Sequence, residues 1–186
     1  MTRPDPHDDA AEDARLLERW RAGDERAASR IVERHATALA RFAASLGVRD
    51  GVEELVQDTF VRAFNALDGF RADSALRTWL FTIERRLILD RRRAARRERG
   101  MVDVEESDAI SEYDALDGIV ATETASQVRV AVGKLTRLQR EVFLLRVQEG
   151  RSYREIADIV GSTEGATRVH YHHAMKAVKE SLHVHG

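Results

Sequence analysis

The chain has 186 residues, with 30 Lys or Arg against 32 Asp or Glu, seven His, two Pro and no Cys. That length suits one ordinary domain or two small ones, and the lack of cysteine excludes disulfides, Cys-ligated zinc and thiol redox chemistry within it. There is no apolar run of the roughly 18 residues a membrane span needs, and the first residues are polar and acidic. Neither a span nor a signal peptide is expected, and the chain is expected in the cytoplasm.

Ala, Leu, Arg and Glu dominate, which favours helix, and no Val/Ile/Thr alternation reads as a sheet. An all-α fold is expected. A first helix is predicted over 11–22, with Leu16, Leu17 and Trp20 on one side. A second runs over 26–46, where Ile31, Val32, His35, Leu39, Phe42 and Leu46 recur at three- and four-residue steps. Gly47 ends it. A third spans 52–66, with Val52, Leu55, Val56, Phe60 and Phe64 inward. Residues 67–75 read as a polar loop. A fourth helix starts near Ser74 and carries Trp79, Leu80, Ile83, Leu87 and Leu89 into an arginine run. Further helices are predicted over 123–133, 136–148, 152–159 and 163–182.

Charge is sorted along this chain. Residues 85–99 hold eight Arg against Asp90 and Glu98, whereas residues 100–128 hold eight acids and no Lys or Arg. Residues 129–186 return to ten Lys or Arg against six acids. Such sorting often signals a polyanion partner. The stretch 100–122 is also too long and too sparsely apolar for a connection inside one compact domain. It reads as an acidic, flexible linker between two small helical domains, 10–99 and 123–183, each with its own core.

Ser152 and Glu155 stand in the spacing of a capping box, so a helix starts there. Tyr153, Ile156, Ala157 and Val160 give it an apolar face, Gly161 allows a tight turn, and Thr163 suits the N-cap of the next helix. Thr167, Tyr171, Ala174, Val178 and Leu182 then face a core. Glu164, Arg168, Val169, His172, His173 and Lys176 face outward. This is the pattern of a helix-turn-helix, whose second helix fits the major groove. An antiparallel helical hairpin that touches no DNA fits the same pattern.

Residues 135–182, LTRLQREVFLLRVQEGRSYREIADIVGSTEGATRVHYHHAMKAVKESL, resemble region 4 of bacterial sigma-70-type factors, and in particular of the extracytoplasmic-function (ECF) group. Residues 53–93, EELVQDTFVRAFNALDGFRADSALRTWLFTIERRLILDRRR, are similar to region 2 of the same group. Two long matches in the right order are specific.

The resemblance implies a factor that binds core RNA polymerase through its β′ and β subunits and recognises promoter DNA at the −35 and −10 elements. It also implies DNA melting and control by an anti-sigma factor. Glu54, Leu55, Gln57, Asp58 and Phe60 match the segment that binds the β′ clamp helices, although Leu55 and Phe60 suit a core equally well. Arg71, Ser74, Arg77, Trp79, Arg85 and Arg86 match the pocket and groove for the freed −10 strand. Arg91 and Arg92 would hold backbone phosphates, and as exposed charges they are expected to contribute little to stability. Trp79 also suits a core. Thr163, Glu164, Arg168, Val169, His172 and His173 match the −35-reading positions.

Two departures stand out. Arg86 replaces a common asparagine beside the flipped base, and His170 and His173 replace arginines. Histidine titrates in the physiological range, so −35 affinity is expected to depend on pH.

Other functions fit less well. No Gly-rich phosphate loop, G-x-S-x-G or H-E-x-x-H is present, so no catalytic residue, small-molecule substrate or cofactor is expected. The histidines near the C-terminus could suggest a metal site, but no cysteine or fixed acid completes a ligand set, and none is assigned. A two-component or quorum-type regulator would share the helix-turn-helix without the region 2 segment.

Overall fold

The computed structural model describes residues 6–70, 75–100 and 123–183. Within them the protein is all-helical, with eight α-helices: α1 Pro6–Arg21, α2 Glu25–Ser45, α3 Val52–Asn65, α4 Leu76–Glu98, α5 Glu123–Gly133, α6 Arg137–Val147, α7 Tyr153–Val160 and α8 Glu164–His183. A single 3₁₀ turn, Leu67–Gly69, follows α3. The acidic segment expected to be a linker falls, from residue 101 to 122, outside the described residues.

Local chemistry sets the helix ends. The Asp24 carboxylate accepts the Arg26 N–H at 3.0 Å and caps α2. Thr136 and Gln139 form a reciprocal capping box at α6, and Ser152 and Glu155 form another at α7. Gly161 ends α7 with φ +71, a left-handed conformation that glycine adopts without steric penalty. Thr163 Oγ1 then accepts the Ala166 N–H at 3.1 Å and starts α8.

The first four helices pack around Ile31, Leu39, Phe42, Leu55, Leu80, Phe81 and Ile88, each almost wholly buried. Burying one such side chain stabilises by about 1.5–3 kcal/mol. Phe42 and Phe81 meet edge-on at 5.0 Å between ring centres, joining α2 to α4. His35 continues the apolar stripe of α2 inward. Its Nε2 lies 3.0 Å from Asp13 on α1, and Arg34 reaches the same carboxylate at 3.0 Å. Burial works to raise the Asp13 carboxyl. The His35 and Arg34 interactions outweigh it and hold the group below its ordinary range.

The last four helices have their own cluster, with Ala131, Val132, Leu135, Phe143, Leu144, Ala174 and Val178 buried together. Arg140 is also inside, only 2% exposed. Its guanidinium donates to the carbonyls of Val132, Gly133 and Leu135 at 2.9–3.2 Å. It thereby satisfies acceptors that the end of α5 leaves open.

Beside the second half's own cluster, the two halves share apolar packing. Val142, Leu145, Ile156, Ile159 and Val160, from α6 and α7, are buried in the same cluster as the residues of α1 to α4. α7 lies on α4 and α6 on α2. The two halves therefore close on one another across a shared apolar seam.

Candidate nucleic-acid interface

Four of the arginines matched to −10 recognition lie along α4, together with Arg77 near its start. Arg86 is exposed. Arg91 donates to Asp58 Oδ2 at 2.8 Å and to the Gly51 carbonyl at 3.3 Å, so it ties α4 to the start of α3. Asp58 is one of the residues matched to polymerase binding, so the two sets meet in one ion pair. Arg92 is half-buried and donates to the Leu46 carbonyl at the end of α2. Burial holds its guanidinium below the usual arginine value, against the opposing pull of Glu141. The expectation that the arginine run adds little to stability is thus corrected at Arg92, which closes a helix end. Trp79 is half-buried and packs against Phe70, with the rings tilted and their centres 4.8 Å apart. Arg71 and Ser74 lie outside the described residues.

Arg77 and Arg85 face the other half of the protein. Glu149 is 3% exposed and receives two guanidinium groups, Arg41 on Oε1 and Arg77 on Oε2, both at 2.7 Å. Arg85 donates to Glu141 Oε2 at 2.6 Å, and Arg137 approaches Oε1 at 3.3 Å. Thr78 Oγ1 donates to Glu155 Oε1 at 3.0 Å. Every one of these contacts except Arg137–Glu141 crosses from the first half to the second. Glu84 sits at the same seam, wholly buried, with neither oxygen hydrogen-bonded among the described residues. Burial first, and the Glu149 charge second, push its carboxyl up to about 9. Glu84 is therefore protonated and uncharged at neutral pH.

A groove of about 750 Å³ runs between α2 and α3. Val32, Ala36, Ala40, Phe60 and Phe64 line it, with Glu53, Glu54 and Gln57 beside them. Phe60 is thus both a buried residue and a groove wall. Leu55, matched to the same binding segment, is 0% exposed and points into the core, where it anchors α3. Glu54, Gln57 and Asp58 are exposed.

In the second half, α7 and α8 meet through the Gly161 turn as the sequence predicts. Thr167 and Ala174 are buried, while Thr163, Glu164, Arg168, Val169, His172 and His173 are exposed on the opposite face. Arg168 pairs with Glu164 at 2.8 Å and lies 5.2 Å from the centre of the Tyr153 ring. Arg146 lies over the same ring at 4.9 Å. The exposed face combines a guanidinium fork, an apolar Val169 and two imidazoles, which suits base edges and the thymine methyl.

Comparison with known proteins identifies both halves. Residues 31–98 match sigma-70 region 2, and residues 125–178 match sigma-70 region 4. The RNA polymerase sigma factor NccH of Alcaligenes xylosoxydans xylosoxydans is 32% identical over 163 residues, covering 85% of this chain and 88% of its own. The chain belongs to the ECF RNA polymerase sigma factors. The ECF sigma-E factor of Escherichia coli K12 is 29% identical over 176 residues, covering 90% of this chain and 92% of its own. Two solved structures share the arrangement. CnrH in complex with the cytosolic domain of CnrY has a TM-score of 0.65 at 30% identity, covering 96% of this sigma factor and 99% of CnrH. RpoE in complex with the anti-sigma factor NepR from Bartonella quintana has a TM-score of 0.65 at 32% identity, covering 84% and 96%. Among the described residues of this sigma factor, no helix is long and apolar enough to cross a membrane.

Proposed function

We propose that this sigma factor works through three surfaces, each assigned to one partner, in the cytoplasm where core polymerase acts. The α2–α3 groove takes an amphipathic helix of the polymerase β′ subunit, with Phe60 in the apolar wall and Glu54, Gln57 and Asp58 as polar rim. The α6–α7 face of the second half meets the β subunit once the halves separate. α4 carries the melted −10 strand on Arg77, Arg85, Arg86 and Arg91, with Arg71 and Ser74 from the sequence just before it and Trp79 supporting it. Arg92 joins them through its position in the basic helix while closing the end of α2. α8 reads the −35 duplex with Thr163, Glu164, Arg168, Val169, His172 and His173. An anti-sigma factor holds the protein inactive by covering the same groove.

The observation that carries this reading is the presence, in order on one chain, of a region 2 bundle with a basic helix and a region 4 helix-turn-helix. The chain does no chemistry of its own; the polymerase joins the nucleotides. The test is run-off transcription with core polymerase over a genomic promoter library. Promoter-specific transcripts that appear only with this protein support the reading, and an unchanged transcript set refutes it.

A further inference from the structure

We infer that Arg41 joins Arg77 and Arg85 in a phosphate-binding row for single-stranded DNA, and that Glu149 and Glu141 occupy this row as internal anions when the two halves are closed. The inference rests on the −10 reading of α4 proposed above. It adds Arg41, which lies on α2 outside that set, and it names what fills the row in the closed state.

The geometry is that of a built anion site. Arg41 and Arg77 come from different helices and converge on separate oxygens of one carboxylate, both at 2.7 Å. Two guanidinium groups on one two-oxygen anion is the arrangement that also grips a phosphodiester. The occupant is 3% exposed, so the cradle is closed to solvent around it. At the second site a single guanidinium of the first half, Arg85, holds a 0% exposed carboxylate, Glu141, whose other oxygen faces Arg137 of its own helix at 3.3 Å. Arg77 and Arg85 are eight residues apart on α4, or about 12 Å along the helix axis. Their two acids are likewise eight residues apart and pair in reverse order, Glu149 with Arg77 and Glu141 with Arg85. Two anion sites spaced along one helix suit a polyanion better than a single small ion.

Lifting the second half away removes both carboxylates and leaves the guanidinium groups desolvated on one side beside an apolar seam. Arg41 then keeps its place, since it belongs to α2 and its side chain is already 52% exposed at the mouth of the cradle. A backbone phosphate entering there meets the donors that Glu149 meets now. The acids and the DNA strand compete for the same groups.

The experiment uses the full chain, a fluorescein-labelled DNA 12-mer of mixed sequence, and anisotropy across a salt series, with X-ray scattering to follow closure. E149Q should open the chain and bind the strand about tenfold tighter, the factor that 1.4 kcal/mol represents. E149D keeps the charge but falls one methylene short. It is the second variant should E149Q lose helix by circular dichroism, and it should act in the same direction.

Adding R41Q to either should reverse part of the gain and lower the salt slope by about 0.7, as for one single-strand phosphate contact. Opening without tighter binding would overturn the inference, as would unaltered closure in both variants or a salt slope that ignores R41Q. A polyglutamate competitor as effective per charge as DNA would assign the row to an acidic protein and also overturn it. Promoter-specific transcription by the wild type is scored separately, so the −10 reading can stand where this inference falls.

Discussion

Glu84 offers a direct measurement of how the seam is held. Its carboxyl is buried, lacks a hydrogen-bond partner among the described residues, and titrates at about 9, against an ordinary 4.5. Between those two values the folded chain holds a proton that the unfolded chain has released. Folding stability then falls as pH rises, by about 1.4 kcal/mol per pH unit for this one group. From pH 6 to pH 8 the loss approaches about 3 kcal/mol, a sizeable share of the roughly 5–15 kcal/mol that holds a typical domain. Glu84→Gln keeps the shape of the protonated acid and cannot ionise. Urea unfolding of both proteins at pH 6, 7 and 8 isolates the effect, because all other titrating groups are common and cancel in the difference. The stability gap in favour of the glutamine variant should widen by about 1.4 kcal/mol for each unit of rising pH. A gap that stays constant with pH would show that Glu84 is solvated and ionised in the fold, and the account of the seam would fail.

Arg92→Ala should destabilise the protein by about 1.5–3 kcal/mol, since it removes a charged hydrogen bond to the Leu46 carbonyl. Arg93→Ala, an exposed neighbour, should leave the melting temperature almost unchanged; equal effects would refute the helix-end role. Arg168→Ala should relax preference at one −35 position by roughly ten- to a hundredfold, as for a lost bidentate guanine contact, and leave −10 preference intact when scored on promoter variants. Replacing His170 and His173 together by arginine should raise −35 affinity, since each adds a permanent positive charge beside the phosphates. Unchanged binding would place these side chains away from DNA.

The helices were legible because their signals are local. The spacing of Ile31, Leu39 and Phe42 and the Ser152–Glu155 box each lie within a few turns, and the structure keeps both. The outward face of α8 followed from the same periodicity. The Thr136–Gln139 box has the same kind of pattern and could have been read too. Arg140 could not. A buried arginine looks like any other charge until its three carbonyl partners are known. The closed seam was equally hidden. Arg85 and Glu141 are 56 residues apart, and Arg77 and Glu149 are 72 apart. No periodicity reports a pairing at that distance. Sequence sorted these arginines by resemblance to a DNA-binding helix, which is silent about what they hold when DNA is absent.

The seam uses both apolar packing and charge, and the two do different work. Val142, Leu145, Ile156 and Ile159 supply burial that no soluble ligand replaces. The ion pairs add little net stability over apolar side chains of similar volume, because desolvating the charged groups offsets their attraction. What they add is exchangeability. A polyanion can take the place of Glu141 and Glu149 on the same arginines, and it could not do so at a purely apolar seam. Replacing one cross-seam pair by apolar residues, Arg85→Leu with Glu141→Leu, should therefore hold the halves closed while weakening their response to polyanion. Arg137, 19% exposed and 3.3 Å from Glu141 Oε1, loses an anionic neighbour in the double variant. X-ray scattering with increasing heparin should show the wild type opening at lower concentration than the double variant. Opening of both at the same concentration would mean that charge at Arg85 plays no part in releasing the seam, and that apolar packing alone sets the balance between the closed and open chain.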